Sequence, residues 1–374
     1  MKFDVSSTAL LSRLQSISKV IASKNTLPIL DCFLFKLNGE NLEITASDSE
    51  TRMETSVEVK NAQGEGLFAV SAKILLDPLK ELPEQPLHFD INDDNMEIFI
   101  HFQNGKYNFI GQKGDTYPQQ KPLGENAVSI DIDAQKLLSG LGRSSFAMGD
   151  DELRPVMNGI YFDISTDHLT FVASDGHKLV RLRNLAIKSP ERAAFILPKK
   201  PASLLRSILV REQDALSIKF DDNNAYFSNS NFVMVCRLIE GRYPNYNSVI
   251  PQENPFKVTI DRQSFLNALK RVSVFSNASS SLIKLHVQEN KMIVSAQDID
   301  FSTSAEEILT CQFSGEELSI GFKATYLIEI LSNIASNEVV LALADPSRAG
   351  IIVPLENEED EDLLMLLMPM MLND

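Results

Sequence analysis

The sequence repeats one unit three times, and this repetition constrains the fold more than any other feature. The first copy contains FDVSSTALLSRLQSISKV and NLEITASDSE, the second IDIDAQKLLSGLGRSSFAM and HLTFVASDGH, and the third VTIDRQSFLNALKRVSVFS and KMIVSAQDID. The Ala-Ser-Asp turn at residues 46–48 recurs 127 residues later, at 173–175. In each copy a short alternating strand leads through an Asp or Ser suited to helix capping into an amphipathic helix.

The second half of each unit repeats as well. A strand leads into a second amphipathic helix, in FAVSAKILLDPLKEL, FILPKKPASLLRSIL and LSIGFKATYLIEILSNI, and alternating strands follow. Each unit spans roughly 125 residues, a common domain size. We therefore predict three tandem α+β domains, at residues 1–125, 126–252 and 253–374. Repetition alone is equally consistent with tandem domains that have no particular function.

Charge is distributed unevenly along the chain. The formal net charge is −16, from 35 Lys and Arg against 51 Asp and Glu. Taken alone, this argues against a nucleic-acid partner, because phosphate binding requires a positive surface. Six helices are predicted, at residues 8–20, 73–82, 134–145, 199–211, 262–273 and 323–334.

The predicted helices nevertheless contain 14 basic residues and only 3 acidic ones. Helices of this kind would present cations to DNA phosphates if they lined a common hole, and the acidic remainder would keep the outer surface soluble. The alternative is that exposed helix faces are often rich in Lys without any role in DNA binding.

The sequence carries no recognisable enzyme or metal motif. It contains no GxxxxGK[ST], no HExxH and no paired CxxC, and its five histidines are dispersed. We predict a non-enzymatic protein without metal or cofactor. A nuclease or phosphoryl-transfer enzyme would require carboxylates that converge in a cleft, which one sequence does not exclude.

Cysteine usage and hydropathy indicate the compartment. Cys32, Cys236 and Cys311 are odd in number and lie in apolar strand-like stretches, so we expect buried, reduced thiols. No apolar run approaches the ~20 residues that cross a bilayer. The N-terminus lacks the apolar core of a secretory signal. We expect a cytoplasmic protein with no membrane partner.

Five short segments are specific enough to indicate a family. They are the N-terminal MKF, TLPIL at 26–30, SDGHKL at 174–179, EGRYPNY at 240–246 and MPM at 368–370. In this order, within a threefold repeat, they resemble the bacterial DNA sliding clamps, the beta subunits of the replicative polymerase. The resemblance covers essentially the whole chain.

The resemblance implies both an architecture and a function. Three tandem DNA-clamp domains, each with two helices backed by antiparallel sheets, would close head to tail as a homodimeric ring. The ring would encircle double-stranded DNA without sequence specificity and confer processivity. Its expected partners are the replicative polymerase catalytic subunit, the clamp loader complex and other clamp-motif proteins of replication and repair.

The resemblance also implies a partner-peptide cleft between the second and third domains. Methionine and leucine side chains there would form a groove that repacks around different short motifs. Its wall would consist of Met157, Ser174, Gly176, His177, Lys178, Leu179, Pro244, Tyr246, Val249, Tyr326, Leu366, Met368, Pro369 and Met370. Without the resemblance, His177 is better explained as a turn residue and MPM as an ordinary terminal strand.

DNA-binding and dimer residues follow from the same resemblance. The DNA-binding residues would be Lys24, Lys73, Lys80, Arg154, Lys199 and Lys200. The dimer interface would contain Lys106, Phe109, Val274, Phe275, Glu306 and Glu307, with Lys106 facing the two glutamates. The alternatives are that the lysines are merely solvated and that the three apolar residues belong to the core of their own domains.

The chain departs from the family pattern in four places. The C-terminus is altered after Met370, and Ser248 stands where the family commonly has a basic residue. An acidic loop at residues 150–152 precedes Arg154, which weakens the expectation of a DNA contact there. The segment ENEEDED at 356–362 is a solvated loop on composition, and the resemblance gives it no role.

A three-domain scaffold or adhesion protein that never meets DNA is the main alternative of another class. Such a protein would have no use for cationic helices on an acidic background. A ring should be retained on circular DNA and slip off free ends, whereas a scaffold should show neither behaviour.

Overall fold

Strand pairing divides this α+β chain into two compact units, residues 1–134 with 207–238 and residues 135–206 with 239–374. The computed structural model describes residues 1–120 and 122–372; Lys121 and the last two residues of the altered C-terminus, Asn373 and Asp374, lie outside it. The central repeat thus contributes to both units. The domain boundaries expected from the repeats, at residues 1–125, 126–252 and 253–374, stay a prediction.

The first repeat has a helix in each half. Its elements are β1 (Lys2–Ser6), α1 (Ser7–Ile17), β2 (Cys32–Asn38), β3 (Asn41–Ser47), β4 (Thr51–Glu58), β5 (Lys60–Gln63), β6 (Gly66–Ser71), α2 (Ala72–Lys80), β7 (Pro86–Ile91), β8 (Glu97–Phe102), β9 (Gly105–Ile110) and β10 (Gln112–Lys113). Helix α1 begins where the Ser6 Oγ accepts a hydrogen bond from the Ala9 N–H at 3.1 Å. Its buried Leu10, Leu14 and Ile17 have helical spacing and face the core.

The second repeat follows the same order. Its elements are β11 (Val128–Ile132), α3 (Ala134–Ser144), β12 (Gly159–Ile164), β13 (Leu169–Ser174), β14 (Lys178–Asn184), β15 (Ala193–Pro198), α4 (Lys199–Leu209), β16 (Leu216–Phe220), β17 (Asn224–Ser228) and β18 (Phe232–Arg237). In α3 the buried Leu137 and Leu141 again have helical spacing.

The third repeat completes the chain. Its elements are β19 (Phe256–Asp261), α5 (Arg262–Val272), β20 (Leu282–Gln288), β21 (Lys291–Asp298), β22 (Thr303–Thr310), β23 (Leu318–Lys323), α6 (Ala324–Ser332), β24 (Glu338–Leu343), β25 (Gly350–Pro354) and β26 (Glu361–Leu367). Asp261 caps α5, since its Oδ1 accepts from the Ser264 N–H at 2.7 Å. The predicted ends of the first, third and fifth helices fall in the tighter 3₁₀ turns that follow α1, α3 and α5.

The first unit contains two antiparallel sheets. One has the order β10-β6-β2-β3-β4-β18-β17-β16-β11 and the other β5-β1-β7-β8-β9. Strand β18 of the second repeat pairs with β4 of the first, with Cys236 opposite Thr51. This pairing joins strands of two repeats in one sheet. It also satisfies the backbone N–H and C=O groups that β4 would otherwise expose at a sheet edge.

The second unit is built in the same way. Its sheets have the orders β15-β12-β13-β14-β26-β25-β24-β19 and β22-β21-β20-β23. Strand β26 of the third repeat pairs antiparallel with β14 of the second, from Lys178 opposite Leu367 to Asn184 opposite Glu361. No helix among the described residues is long and apolar enough to span a membrane.

Two glycines of α3 give a test of this packing. A Cβ on Gly140 would lie 2.5 Å from the Phe171 ring, whereas one on Gly142 would meet nothing within 4 Å. We expect Gly140→Ala to lower the free energy of unfolding by about 1–3 kcal/mol through overpacking. Gly142→Ala should raise it by about 0.5–1 kcal/mol, since alanine favours the helix. Urea titrations followed by circular dichroism measure both; equal effects of the two substitutions would contradict the described packing of α3.

Candidate partner-binding groove

The turn between β13 and β14 is fixed by its own side chains. The Asp175 Oδ1 accepts hydrogen bonds from the N–H groups of His177 and Lys178, at 2.8 and 2.9 Å. The Ser174 Oγ donates to the Lys178 carbonyl at 2.8 Å. Gly176 has a φ of +91°, where a side chain would be strained, and a Cβ there would lie 2.8 Å from the Arg154 guanidinium. These contacts hold the turn in place, and His177 is exposed.

An apolar groove of about 270 Å³ lies beside this turn. Leu179 and Leu366, from the paired strands β14 and β26, are buried in its floor, and Val249 and Met368 are exposed at its rim. The groove is lined by Met157, Ser174, Gly176, His177, Lys178, Leu179, Tyr243, Pro244, Asn245, Tyr246, Val249, Leu366 and Met368. A mostly apolar concave surface with a few polar groups is typical of a ligand-binding site.

Two buried tyrosines support the floor of the groove. The Tyr243 ring stacks on Tyr161 with centroids 4.7 Å apart, and the Tyr246 hydroxyl donates to Asp163 Oδ2 at 2.7 Å. Burial, together with the bond to Asp163, raises the pKa of Tyr246 to about 12. Burial also raises the pKa of Tyr243. Both rings therefore stay neutral at physiological pH and keep the floor apolar.

Lys178 lines the groove and takes part in an ion-pair cluster. Its Nζ lies 3.0 Å from carboxylate oxygens of both Asp175 and Glu329, and 4.1 Å from the Tyr326 ring centroid. Burial opposes the charge of Lys178, but hydrogen bonds to Glu329 and Asp175 outweigh it and raise the pKa. The two carboxylates thus neutralise the ammonium beside the apolar groove.

The C-terminal segment is held by two backbone hydrogen bonds. The Met368 N–H donates to the His177 carbonyl, and the Met370 N–H donates to the Gly321 carbonyl, each at 2.8 Å. A Cβ on Gly321 would lie only 2.6 Å from the Met370 carbonyl oxygen, so glycine permits this close approach. These bonds position Met368 over the groove.

The structure brings together eleven of the fourteen residues expected in the cleft wall. Pro369 and Met370 lie outside the lining, and so does Tyr326, whose ring centroid lies 6.1 Å from that of His177. Sequence reasoning missed Tyr243 and Asn245. The Tyr-Pro pair that recurs at residues 117–118 and 243–244 was a usable signal for Tyr243. The binding role of all these residues stays a prediction.

The equivalent turn in the first unit borders a polar cavity instead. Asp48 again accepts from backbone N–H groups, but Arg52 stands where the second unit has Leu179, 127 residues later. The Arg52 guanidinium donates to the Pro118 carbonyl at 2.8 Å, pairs with Glu54 at 2.7 Å and lies over the Tyr117 ring. An apolar ligand therefore fits the groove of the second unit better.

The six expected DNA-binding residues are all exposed. Lys24, Lys73 and Lys80 belong to the first unit, and Arg154, Lys199 and Lys200 to the second.

At least three of the six cations have acidic neighbours. Lys80 pairs with Asp77 at 3.3 Å. The acidic loop at 150–152 supplies Asp151 to Arg154 at 2.9 Å and places Asp150 3.8 Å from Lys199. Exposed pairs of this kind contribute little to stability and can exchange for phosphates. The DNA-binding role of the six residues stays a prediction.

The acidic segment at 356–362 is exposed as far as Asp360 and half-buried at Glu361 and Asp362. It is therefore not merely solvated, as its composition had indicated. Asp360 pairs with Lys136 at 3.3 Å, Glu361 with the Arg143 Nε at 3.5 Å, and Glu358 also bonds Arg143. Both cations belong to α3. The charge count therefore overestimated the positive charge that α3 offers to DNA, because the pairing involves residues more than 200 positions apart.

Of the expected dimer residues, Val274 and Phe275 are 77% and 41% exposed, so they do not form the core of their own unit. Phe109, half-buried, and Lys106, exposed, lie on β9 at the edge of its sheet. Their interface role stays a prediction.

Glu307 already has a partner in its own chain. Arg271 donates two hydrogen bonds to its carboxylate at 2.8 and 2.6 Å, and these lower the pKa of Glu307. Of the two glutamates expected to face Lys106, Glu306 is therefore the better candidate.

The described residues include three free thiols and no cluster of side chains suited to a metal ion. Cys32, Cys236 and Cys311 are free and buried, and burial raises the pKa of each thiol. No group of three or more His, Cys, Asp or Glu side chains suited to a metal ion occurs in residues 1–120 and 122–372.

Comparison with known proteins identifies the family to which this architecture belongs. Three family models of the DNA polymerase III beta subunit match this chain. The N-terminal domain model matches residues 1–121, the central domain model residues 131–245 and the C-terminal domain model residues 247–371. The beta sliding clamp of Pseudomonas putida is 26% identical over 366 residues, covering 98% of this chain and 99% of that protein. That of Bacillus subtilis is 25% identical, covering 99% of each. The crystal structure of the DNA polymerase III subunit beta from Pseudomonas aeruginosa, 26% identical, matches with a TM-score of 0.94 over 100% of both chains.

Three clamp domains of antiparallel sheets and paired helices define the class as a sliding clamp. The chain belongs to the DNA polymerase III beta subunit family. Its function is that of the beta sliding clamp, a non-catalytic processivity factor of DNA replication. The family and fold expected from the sequence are thereby confirmed.

The Asp175 cluster predicts a pH dependence of stability. Burial opposes ionisation of Asp175, but hydrogen bonds from Lys178 and His177 outweigh it and lower its pKa. Its stabilising contribution is therefore present above the unfolded value of about 3.9 and is lost as the pH falls through the lower folded value. At pH 7 we expect Asp175→Asn to cost about 1–3 kcal/mol in the free energy of unfolding, with a smaller difference from the unsubstituted protein at pH 2–3.

The matched control is Asp222→Asn, which changes an exposed turn carboxylate. Urea titrations between pH 2 and 7 measure the free energy of unfolding of the two variants and of the unsubstituted protein. A cost of Asp175→Asn that does not change with pH would contradict the ionised cluster.

Proposed function

We propose that two copies of this chain close head to tail into a ring around duplex DNA and tether replication and repair proteins to it. Each copy would contribute three domains, at residues 1–125, 126–252 and 253–374. The ring would act in the bacterial cytoplasm, where buried reduced cysteines such as Cys32 are stable.

Two sheet edges support closure by a second copy. Strand β9 ends one sheet of the first unit, and β22 ends one sheet of the second. Exposed edges are available for pairing with another chain. The exposed Val274 and Phe275 lie near β22, and the opposite charges of Lys106 and Glu306 would favour one alignment of the two edges.

The exposed cations support a non-specific DNA contact. Lys24, Lys73, Lys80, Arg154, Lys199 and Lys200 would face phosphates, which carry no sequence information. Contacts with phosphates alone allow a protein to slide. The acidic partners of Lys80, Arg154 and Lys199 would weaken static binding and so favour motion along the duplex.

The apolar groove carries the tethering part of the proposal. Its buried floor of Leu179 and Leu366 and its flexible rim residue Met368 suit short linear motifs with apolar side chains. The polymerase catalytic subunit, the clamp loader complex and other clamp-motif proteins would bind there in turn. One groove per chain would give two per ring.

Topology of the DNA provides the test of encirclement. The protein should be retained on nicked circular DNA after loading, and linearisation should release it, because a ring slips off free ends. Gel filtration of the protein–DNA mixture before and after restriction cleavage measures this. Binding that is indifferent to linearisation would contradict the ring, and no retention on either form would favour a scaffold.

Two methionines of the C-terminal segment provide the test of the groove. Met368 lines it and is 43% exposed, whereas Met371 is 78% exposed and does not line it. Met368→Asp should weaken binding of an apolar clamp-motif peptide by about tenfold or more, since a charge would enter the groove. Met371→Asp should change the affinity less than about twofold. Fluorescence anisotropy measures both; equal affinities of the two variants would refute the groove assignment.

A further inference from the structure

The two junctions between repeats share one register. At the first, the Arg237 N–H donates to the Glu50 carbonyl at 2.9 Å; at the second, the Met368 N–H donates to the His177 carbonyl at 2.8 Å. Glu50 and His177 are 127 residues apart and occupy the same place in the turn before β4 and β14. The same bond therefore joins each pair of neighbouring repeats.

Extension of this register to the third repeat identifies the strands that would meet a second copy. Strand β22 is the counterpart of β4 and β14, and β9 is the counterpart of β18 and β26; both end their sheets. Within β9, Ile110 corresponds to Arg237, since Ile110 pairs with Glu97 as Arg237 pairs with Asn224.

On the other side of this junction, Ser302 immediately precedes Thr303, the counterpart of Thr51 and Lys178. A second copy in the common register would thus place its Ile110 opposite Ser302. The same alignment places its Lys106 opposite Glu306, so that opposite charges face each other.

The turn before β22 differs from its two counterparts in length. Two residues separate Asp48 from Thr51 and Asp175 from Lys178, whereas four separate Asp298 from Thr303. Asp298 still anchors the turn, since its Oδ1 accepts from the N–H groups of Asp300 and Phe301 at 3.0 and 3.2 Å. The longer turn is therefore held in the same way, by hydrogen bonds from backbone N–H groups to an Asp carboxylate.

The added length exposes two large apolar side chains. Ile299 and Phe301 are 79% and 78% exposed, although the anchoring Asp298 is buried. At the junctions inside the chain, Arg237 lines the polar cavity and Met368 lines the apolar groove. Their counterpart Ile110 is itself 77% exposed. Apolar surface is thus offered on both sides of the expected subunit junction.

We propose that Ile299 and Phe301 form a latch that packs against the second copy of this chain around its Ile110. The latch fills the place at the subunit junction that the partner-binding groove occupies within the chain. It stabilises the dimer and removes a competing apolar site for peptides. This inference rests on the proposed homodimeric ring.

The test compares dimer dissociation in two double variants. Ile299→Ser with Phe301→Ser should raise the dimer Kd by about 30-fold or more, because two buried apolar side chains are lost. The matched control, Leu153→Ser with Val210→Ser, removes two side chains that are 90% and 64% exposed elsewhere. It should leave the Kd within about threefold of that of the unsubstituted protein.

Sedimentation equilibrium over a dilution series measures the Kd, and binding of a clamp-motif peptide verifies that the second unit is folded. An unsubstituted chain that is monomeric throughout would overturn the ring itself. A dimer whose Kd is unchanged by Ile299→Ser with Phe301→Ser would overturn only the latch.

A cross-link tests the proposed contact between Phe301 and Ile110 of the second copy. Phe301→Cys combined with Ile110→Cys should give a disulfide-linked dimer on a non-reducing gel, since the three native cysteines are buried. Phe301→Cys combined with Ile74→Cys, an exposed position on α2, should not. Equal cross-linking of both pairs would contradict the alignment.

Discussion

Antiparallel pairing between strands of different repeats is the interaction on which the rest of this structure depends. The pairs β4–β18 and β14–β26 bury sheet edges that each repeat would otherwise expose. The second pair also builds the groove, because it brings Leu366 beside Leu179 and ties Met368 to the turn at His177. The same hydrogen bonds thus hold the repeats together and shape the site.

Much of the local structure could be predicted from the sequence, because it depends on neighbouring residues. The helical spacing of Leu10, Leu14 and Ile17 and the capping residue Ser6 define α1 without any distant contact. The pairing of strands from different repeats could not be predicted in this way. Strands pair through backbone N–H and C=O groups, which are the same in every residue type except proline, so the sequence does not identify the partner. The division of the central repeat between two units was for this reason not foreseen.

The groove shows the same division between what was predictable and what was not. SDGHKL and EGRYPNY supplied most of its lining through a family resemblance, and the recurring Tyr-Pro pair could have added Tyr243. The apolar character of the site follows from one contrast, Leu179 in the second unit against Arg52 in the first. The pairing of Arg143 with Glu358 could not be foreseen, because a count of charges is blind to contacts between residues far apart in sequence.

The interleaving of the units has a consequence for synthesis on the ribosome. Residues 135–206 emerge before the first unit receives residues 207–238, so β4 waits without its partner until β18 has been made. Strand β14 likewise waits for β26, which is the last of the described strands to be made. A chain that stopped before β26 would therefore display an unpaired β14 edge, which is a template for aggregation.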